Sequence, residues 1–550
     1  MLQYTQELTQ QLIRPYFQSS AKLRSLLLRF GLAGTAVWIL VRYFLYRLYL
    51  HPVNKIPGPP TGWFPLLGNA VQILRADPGA CQLEWTKKFG TIVAYHGPWN
   101  RPRLVISDPE LVKQVLTTQE YDFVKPHETV EFLRVVLGYG VLLAEASHGA
   151  EHRHQRKMLN PAFSVQALRG MIPAMTVPAV HLRDKWLKRT VSGPVEIDVT
   201  EGLSLATLDV IGIAGFGTEF RSVTNSKLDT TGGRLGRAYR DLFFGETSYM
   251  RILGIFVPAL RKLPTKRNQV LRRDIQTLND ETQKMIEQGR KRGKTFLSRD
   301  LLSLMISQID EDTGRGMTNQ ELKDQCLTFL AAGHETTSVA LSWGLYLLAQ
   351  HQDIQDQLRQ EVEQLFNGID ASLPIFSDFM QAVQEGRLES FVEQANIPSY
   401  DAINNLRLLN NVCKETMRLY PPVPMTNRIS TKDTTFGHYY VPKGTTIFIC
   451  PMVSHHDPRW WGKDVEQFRP SRWDDAPANQ ISPYIYLPFL AGGRQCIGYR
   501  FALMEFKVLL SILILNLKFS PVPGFVPRQK QQVTLRPYPS MKLMVEQVAF

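Results

Sequence analysis

A cysteine in a glycine-rich segment is the residue of this chain best suited to chemistry. The segment reads Phe489-Leu-Ala-Gly492-Gly-Arg494-Gln-Cys496-Ile-Gly498, and the helical pattern YRFALMEFKVLLSILIL follows it. A thiol at the start of a helix gains acidity from the helix dipole and from free backbone amides, and glycines let a backbone approach a flat partner closely. A lone cysteine is otherwise most often a small, inert core residue. The pattern therefore predicts either a reactive thiolate at Cys496 or simple packing.

A second group of residues lies in the middle of a long helical pattern, Ala332-Gly333-His-Glu335-Thr336-Thr337. A threonine inside a helix can donate its hydroxyl proton to the carbonyl four residues earlier, here that of Ala332, which would loosen the helix beside Gly333. Thr336 could then pass a proton to a bound molecule, while Glu335 relays protons from solvent. The alternative is that the glycine and the threonines only allow close helix packing.

Both segments resemble those of the cytochrome P-450 family. The signature Phe-x-x-Gly-x-Arg-x-Cys-x-Gly is matched at all five fixed positions, and the second segment is similar to the family's oxygen-activation motif. The resemblance implies haem b as the cofactor, with Cys496 as the thiolate ligand of its iron and Arg494 beside a propionate. It also implies that Thr336 and Glu335 deliver protons while the O–O bond of O2 is cleaved, a step that a thiolate ligand favours. The remaining fixed positions would belong to the haem-binding loop: Phe489, Gly492 and Gly498.

A charged pattern suggests how the cysteine loop is supported. Glu415 and Arg418 lie three residues apart on one predicted helix face, which by itself is typical of a solvated ion pair. The segment Phe468-Arg-Pro-Ser-Arg472-Trp473 follows at the distance expected of the second half of the family's buried Glu-Arg-Arg network. The resemblance therefore implies a structural network of Glu415, Arg418 and Arg472. Buried charges persist only when they are paired, so the loss of one partner should be severely destabilising.

Three further side chains are candidates for binding a haem propionate: His152, Arg156 and Arg428. The segment His152-Arg-His-Gln-Arg156 resembles a family helix whose usual pattern is Trp-x-x-x-Arg, with histidine here in place of tryptophan. A histidine ring keeps an N–H donor, so the substitution preserves the chemistry of that bond. The alternative explanation of residues 152–157 is an exposed basic helix face.

The elements that must position these residues indicate a mainly α-helical protein with small β-sheets (α+β). Thr318 and Glu321 have the spacing of a capping box, and the proline-free run after them predicts an unusually long helix. The segments TIVAYHG and RPRLVIS predict two paired strands. The resemblance places the haem between the long helix and the helix after the cysteine loop. Residues 367–404 are interpreted as a surface insertion.

The N-terminal part of the chain predicts an anchor and a hinge. Residues 1–51 contain an apolar stretch, 30–50, that is long enough to cross a bilayer although two arginines interrupt it. A membrane anchor is predicted, with an amphipathic helix lying on the membrane surface as the alternative. The prolines of residues 52–62 disfavour a helix and predict a semi-rigid hinge. Residues 63–550 would then form one haem-binding monooxygenase domain.

The composition of the chain indicates which classes of partner it could bind and which cellular compartment suits it. The formal net charge of +13 suits an anionic membrane surface or an acidic protein partner, and neither zinc-finger spacing nor a basic-aromatic pattern indicates nucleic acid. The five cysteines lie far apart and are odd in number, which indicates a reducing compartment rather than a disulfide framework. Together with the predicted anchor, the resemblance to microsomal, fungal-type members implies an endoplasmic reticulum protein whose catalytic domain faces the cytosol.

The function that the resemblance implies is monooxygenation of a small hydrophobic substrate. One atom of O2 would enter the substrate, with a terpenoid, a steroid or another specialised metabolite expected from the habit of the family. The chain has no Gly-x-Gly-x-x-Gly dinucleotide fingerprint and no flavin domain, so electrons are expected from NADPH through a separate flavoprotein reductase. The alternatives are a haem-thiolate isomerase or dehydratase, and a non-catalytic haem-binding or lipid-binding protein. Four regions are expected to line the substrate pocket: 128–143, 220–260, 423–426 and 537–540.

Overall fold

Helices predominate in the computed structural model, and short strands form small sheets beside them, which confirms the predicted fold class. The structure describes residues 27–35, 37–38, 41–62, 66–225, 230–239, 241–242, 263–292, 300–311, 313–366, 385, 388–475 and 480–548.

The α-helices with described bounds are α1 (Ala70–Arg75), α2 (Ala80–Phe89), α3 (Pro109–Lys113), α4 (His127–Leu137), α5 (Ala146–Leu159), α6 (Val165–Arg169), α7 (Ile172–Thr190), α8 (Val199–Val210), α9 (Thr231–Tyr239), α10 (Lys266–Arg292), α11 (Leu301–Ser307), α12 (Asn319–Gln350), α13 (Gln352–Phe366), α14 (Leu388–Gln394), α15 (Tyr400–Asn404), α16 (Arg407–Leu419), α17 (Pro451–His455), α18 (Pro458–Trp461) and α19 (Tyr499–Asn516). Short 3₁₀ and π segments include Pro52–Lys55, Gln114–Thr118, Ile211–Gly215, Pro470–Asp474 and Gly492–Arg494.

The strands join distant parts of the chain. They are β1 (Ile92–His96), β2 (Pro102–Ile106), β3 (Phe123–Val124), β4 (Val195–Asp198), β5 (Thr426–Ser430), β6 (Thr434–Phe436), β7 (Tyr439–Val441), β8 (Thr446–Ile449), β9 (Leu517–Pro521), β10 (Arg528–Gln531), β11 (Leu535–Tyr538) and β12 (Lys542–Gln547). β1 and β2 pair antiparallel, as predicted, and β2 continues in parallel to β8 within a five-stranded sheet of order β1-β2-β8-β5-β3. A second sheet has the order β4-β12-β9, and β6–β7 and β10–β11 are two-stranded hairpins.

Helix α12 is the long helix that the sequence predicts, and it lies at the centre of the core. It spans 32 residues, and Thr318 and Glu321 form the predicted capping box at its start. Its C-terminal two thirds are almost entirely buried, and it packs against α8, α10, α16 and α19. The indole of Trp343 stacks on Tyr420 at 4.1 Å and donates a hydrogen bond to the carbonyl of Leu535 at 2.8 Å. The helix thus reaches from the main core to the β10–β11 hairpin.

The end of the predicted insertion belongs to the core. Residues 367–384 and 386–387 of the predicted insertion lie outside the described residues. Phe391, Ala395 and Ile397, by contrast, are 5%, 6% and 6% exposed and join the main hydrophobic cluster. The prediction of a surface insertion was wrong for this part, because the hydrophobic effect drives these apolar side chains inward.

The predicted anchor is described only in part, since residues 1–26, 36, 39 and 40 lie outside the described residues. Residues 27–35 and 37–38 are helical, and Val41–Leu50 forms a π-helix. Within the described part of the chain, we find no helix with both the length and the apolar character needed to cross a bilayer.

The proline-rich segment after it packs onto the first sheet. Pro52 occupies the first position of a 3₁₀ turn, and Val53 and Ile56 are buried against the sheet. The carbonyl of Pro57 accepts a hydrogen bond from the backbone N–H of Ala94 in β1 at 3.0 Å. The division of the chain into 1–51, 52–62 and 63–550 stays a prediction.

Candidate active site

The cysteine loop ends at the start of α19, as the sequence predicts. Gly498 is the N-cap of α19, and its backbone N–H donates to the sulfur of Cys496. The backbone N–H of Cys496 in turn donates to the carbonyl of Phe489 at 2.9 Å, which closes the loop. The side chain of Cys496 is exposed, yet the protein packed around the sulfur partly desolvates it and raises the pKa of the thiol. The Gly498 amide and the cation of Arg156 oppose that rise.

Two glycines of the loop differ in how closely they approach the rest of the protein. Gly492 has φ +74°, and a Cβ there would lie 1.9 Å from the carbonyl oxygen of Leu116. Glycine is therefore required because the loop approaches the protein's own backbone in a left-handed conformation. At Gly498 a Cβ would make only an ordinary contact, 3.6 Å from Phe163. The expectation that these glycines let the backbone approach a flat partner closely stays a prediction.

The hydroxyl of Thr336 donates to the carbonyl of Ala332 at 2.8 Å, which confirms the predicted bond within α12. The helix nevertheless remains α-helical through Gly333, so the expected loosening does not occur. A Cβ at Gly333 would lie 3.1 Å from Cδ1 of Ile211, and close packing therefore also explains this glycine. The side chain of Thr336 points to an exposed position, where a bound molecule can contact its hydroxyl.

Glu335 is buried, with 3% of its surface exposed, although a contact with solvent was expected. The reason is the β10–β11 hairpin, which covers it. The hydroxyl of Thr534 donates to Oε1 of Glu335 at 2.5 Å, and Nη2 of Arg536 lies 2.6 Å from the same oxygen. Burial lowers the pKa of Arg536, and the charge of Glu335 partly restores it.

A cluster of basic side chains lies beside the cysteine loop, and we call it the cation cluster: Lys125, His152, Arg156, Arg428 and Arg494. Burial, reinforced by Arg428, lowers the pKa of Lys125 to about 7, and burial, reinforced by Arg494, lowers that of Arg428 to about 10. Burial and the surrounding cations lower the pKa of His152 to about 3, so its ring is neutral. The predicted candidates do come together, and the exposed-face explanation fails for His152, which is 4% exposed.

The cation cluster contains more positive charge than its protein partners neutralise. Nη1 and Nη2 of Arg494 donate to the two oxygens of Glu145 at 2.8 and 2.7 Å, and Nζ of Lys125 lies 3.1 Å from Glu145. Among the described residues, Glu145 is the only carboxylate bonded to the cluster. Nη1 of Arg428 instead donates to Thr426 and Asn427. Such a donor set favours further anionic groups.

Two of the predicted propionate ligands make other contacts here. Nη1 of Arg156 donates to the carbonyl of Gln495 at 2.8 Å, so this side chain braces the cysteine loop. Nδ1 of His152 lies 3.4 Å from the hydroxyl of Tyr121. Nε of Arg494 is buried and has no hydrogen-bond partner within the described ranges. The structure therefore brings these residues to one place without fixing which of them contacts a propionate.

Comparison with known proteins decides the family. The model of the family "Cytochrome P450" matches residues 57–544. The chain belongs to the cytochrome P450 family. It is 32% identical to "Cytochrome P450 monooxygenase sphH" of Aspergillus fumigatus over 89% of this chain and 87% of that protein. It is 31% identical to "Cytochrome P450 monooxygenase 91" of Postia placenta (90% and 93%) and 29% identical to "Secologanin synthase 2" of Catharanthus roseus (79% and 77%).

Membership settles the class of enzyme and its cofactor. This P450 is a monooxygenase, an oxidoreductase that acts on a small molecule with O2 and a redox-partner reductase. Its cofactor is haem b, which the family holds through an axial cysteine thiolate. The donor set fits this group, because haem carries two propionates and the cation cluster has one carboxylate, Glu145, for several cations.

The predicted Glu-Arg-Arg network of the P450 is present and fully buried. Nε and Nη2 of Arg418 donate to the two oxygens of Glu415 at 3.0 and 2.9 Å, and Nε of Arg472 donates to Oε1 at 3.2 Å. The side chains of Glu415 and Arg418 are 0% exposed and that of Arg472 is 3% exposed. The indole of Trp473 adds a fourth donor to Glu415 at 3.0 Å. Every charge is therefore paired, as burial requires.

His455 connects this network to the cysteine loop. Nη1 of Arg418 donates to the carbonyl of His455, and Nε2 of His455 accepts a hydrogen bond from the backbone N–H of Leu487 at 2.8 Å. Because Nε2 accepts, the ring proton is on Nδ1 and is directed to the carbonyl of Arg418 at 3.2 Å. Burial holds the pKa of His455 well below its usual value, which keeps the ring neutral. Leu487 lies two residues before Phe489, so the network fixes the start of the loop.

A cavity of about 890 Å³ lies between α4, α10 and the N-terminal part of α12. Apolar side chains on its wall include Val130, Val135 and Leu327, and Lys125 and Glu145 reach it from the cation cluster. Of the regions expected to line the pocket, 128–143 contributes to this cavity, whereas much of 220–260 lies outside the described residues. Residues 537–540 line a second cavity instead.

Several site residues were missed by the sequence interpretation: Tyr121, Lys125, Glu145, Thr534 and Arg536. None lies in a motif that was identified. Lys125 and Glu145 lie 20 residues apart, and their pairing depends on tertiary structure. The sequence offered one signal for Glu145: it is an acidic residue that shortly precedes the basic candidate His152 in the chain.

Proposed function

We propose that this P450 inserts one oxygen atom from O2 into a small hydrophobic substrate of specialised metabolism, with Cys496 as the thiolate ligand of its haem. The observation that carries this proposal is the position of Cys496. It lies at the N-terminus of α19, in the loop beside the cation cluster. A thiolate there is stabilised by the Gly498 amide and Arg156. Bound haem supplies the oxygen chemistry.

The residues of the chain would divide the remaining work. Arg428, Arg494 and the half-buried Lys125 would hold the propionates, because Glu145 is the one carboxylate bonded to these basic side chains among the described residues. Thr336 would donate a proton through its exposed hydroxyl, and Glu335 would replace that proton. The proposed delivery of protons by Thr336 and Glu335 distinguishes this monooxygenase from a haem-thiolate isomerase or dehydratase. Those enzymes also need no external electrons.

Electrons would come from NADPH through a separate flavoprotein reductase. The net charge of +13 would favour an acidic reductase surface. A terpenoid, a steroid or another specialised metabolite would suit the apolar part of the 890 Å³ cavity. The relative named for secologanin synthesis supports a role in specialised metabolism.

Replacing Thr336 with valine tests the proposed reaction. The product formed per NADPH consumed should fall by at least about tenfold, since loss of a general acid typically costs more than that. The assay contains purified reductase and a substrate that induces a spectral shift, and omission of reductase should abolish product. Thr337→Val is the matched control, because its hydroxyl makes the same kind of bond, to Gly333 at 3.2 Å. If Thr336→Val couples electrons to product as well as Thr337→Val does, the proposed proton route is wrong.

We further propose that the N-terminal segment holds the enzyme at the cytosolic face of the endoplasmic reticulum membrane. Leu28 and Leu32, one helical turn apart, are 67% and 64% exposed, and Phe30 and Trp38 are also exposed. An exposed apolar segment of this kind suits burial in a lipid interface. The buried free cysteines elsewhere in the chain agree with a cytosolic domain.

Flotation with phospholipid vesicles tests this attachment. The full-length protein should float, and the double variant Leu28→Asp, Leu32→Asp should bind at least about tenfold more weakly, because an acidic side chain opposes insertion by about 2.5–3.5 kcal/mol. Val191→Asp is the control, since Val191 is 77% exposed at the end of α7. Equal flotation of all three proteins would contradict the proposal.

A further inference from the structure

The β10–β11 hairpin is attached to the middle of α12 by more than the contacts of Glu335. The backbone N–H of Leu535 donates to the carbonyl of Pro422 at 2.9 Å, and the carbonyl of Leu535 accepts from the indole of Trp343 at 2.8 Å. The hairpin is therefore held in place at Leu535 independently of Glu335. Thr534 and Arg536, on either side of Leu535, are positioned to contact α12.

Three polar atoms of the hairpin converge on one oxygen of Glu335, two of them as hydrogen-bond donors and Nη2 of Arg536 as an ion-pair contact. The hydroxyl of Thr534, Nε of Arg536 and Nη2 of Arg536 lie 2.5, 3.0 and 2.6 Å from Oε1. The side chains of Arg536 and Glu335 are 7% and 3% exposed. A charged pair this deeply buried holds the carboxylate in one orientation, because desolvation makes its loss expensive. Glu335 directly precedes Thr336, whose hydroxyl is exposed on the same helix.

A second cavity, of about 420 Å³, adjoins this pair. Arg536 and His334 lie on its wall, together with the polar side chains of Lys530 and Gln532. Its wall is mixed, with apolar side chains such as Leu205 and Leu208 beside the polar ones. Arg536 lines the cavity and also contacts Glu335, so this residue connects the wall of the cavity to the carboxylate. A guanidinium stays protonated and cannot itself relay a proton, so the contribution of Arg536 is to hold the carboxylate.

We infer that Arg536 and Thr534 are positioning residues for Glu335, which hold its carboxylate in the orientation from which it passes a proton to Thr336. The inference rests on the proposed function, in which Glu335 replaces the proton that Thr336 donates. The carboxylate takes up a proton that originates in bulk solvent and passes it toward Thr336, so the charge of Glu335 is restored after each transfer and no oxidation state changes. The charged groups that face the pair are Arg536 itself and, across the cavity, Lys530, Asp198 and Glu201; His334, whose pKa burial lowers, is neutral.

The test compares two arginines of the same hairpin. Arg536→Met removes the charge with little change in length, and Arg528→Met makes the same change at an exposed position of β10. In the haem-loaded enzyme with reductase, Arg536→Met should lower product per NADPH severalfold and raise hydrogen peroxide correspondingly. Arg528→Met should match wild type, and Arg536→Lys should restore much of the loss. The double variant Arg536→Met, Glu335→Gln should be no worse than the poorer single variant, because Arg536 acts through Glu335.

A readout without turnover separates the contact from the reaction. Hydrogen–deuterium exchange of residues 528–538 should become several times faster in Arg536→Met and in Glu335→Gln, but not in Arg528→Met. Arg536→Met that matches Arg528→Met in both exchange and coupling would overturn the inference. So would a double variant whose losses multiply. The Thr336→Val assay tests the proposed function itself, so a failure of that function can be distinguished from a failure of this inference.

Discussion

Replacing Cys496 with serine should abolish the strongly red-shifted Soret band of the reduced carbon monoxide complex. The shift requires a thiolate opposite the carbon monoxide, and a serine hydroxyl has neither the charge nor the polarisability of sulfur. The measurement is the optical spectrum of the dithionite-reduced protein with carbon monoxide. The variant should also lose all measurable product formation, because the thiolate is the ligand that favours cleavage of the O–O bond.

Cys81→Ala is the matched control for this experiment. Cys81 is also a free cysteine, and it lies in α2 and packs with a hydrophobic cluster around β1 rather than with the cysteine loop. Its removal should leave the spectrum unchanged. A red-shifted band that survives Cys496→Ser would remove the assignment of this residue, and a band typical of imidazole ligation in the wild type would overturn the proposed function.

Glu415→Gln should have the largest effect on stability. The substitution keeps the shape of the side chain but leaves Arg418 buried without its counter-charge, and Arg472 then keeps only the carboxylate of Asp464, at 3.0 Å. Breaking a buried pair in this way costs about 3–5 kcal/mol, a large part of the stability of a typical domain. We expect a clearly lower midpoint of thermal unfolding, followed by circular dichroism, and a severalfold lower yield of haem-loaded protein. We expect the loss of haem because His455 connects the network to the start of the cysteine loop by hydrogen bonds.

Asp474→Asn provides the comparison at the same helix. Asp474 accepts hydrogen bonds from Arg407 and Asn411 of α16, and the Arg407 side chain is 74% exposed. Exposed pairs contribute little, so this variant should unfold near the wild-type temperature. A Glu415→Gln protein as stable and as haem-loaded as Asp474→Asn would show that the network does not support the loop.

Features that depend on short spacings along the chain were predicted well. The capping box of Thr318, the bond from Thr336 to Ala332 and the start of α19 after Cys496 each involve residues within a few positions of one another. Helix geometry fixes such contacts once the helix exists. The network of Glu415 was also anticipated, although only the family resemblance linked its distant arginine, Arg472.

Contacts between distant elements were not predictable in the same way. The burial of Glu335 depends on a hairpin that arrives from the C-terminal end of the chain, and no local pattern announces it. The same holds for Lys125 and Glu145, which the cysteine loop brings against Arg494. The glycine at 492 shows a further limit, since its sequence pattern predicts a close approach but not which partner is approached.

The order of strands in the two larger sheets has a consequence for synthesis of the protein. β2 emerges from the ribosome early but pairs with β8, and β4 pairs with β12, a strand that is made much later than β4. Until then, a nascent chain presents open strand edges, which readily pair with other chains. Pairings across such long sequence separations also form slowly. Chaperones that cover these strand edges until the partner strands have been made should therefore raise the yield of this enzyme.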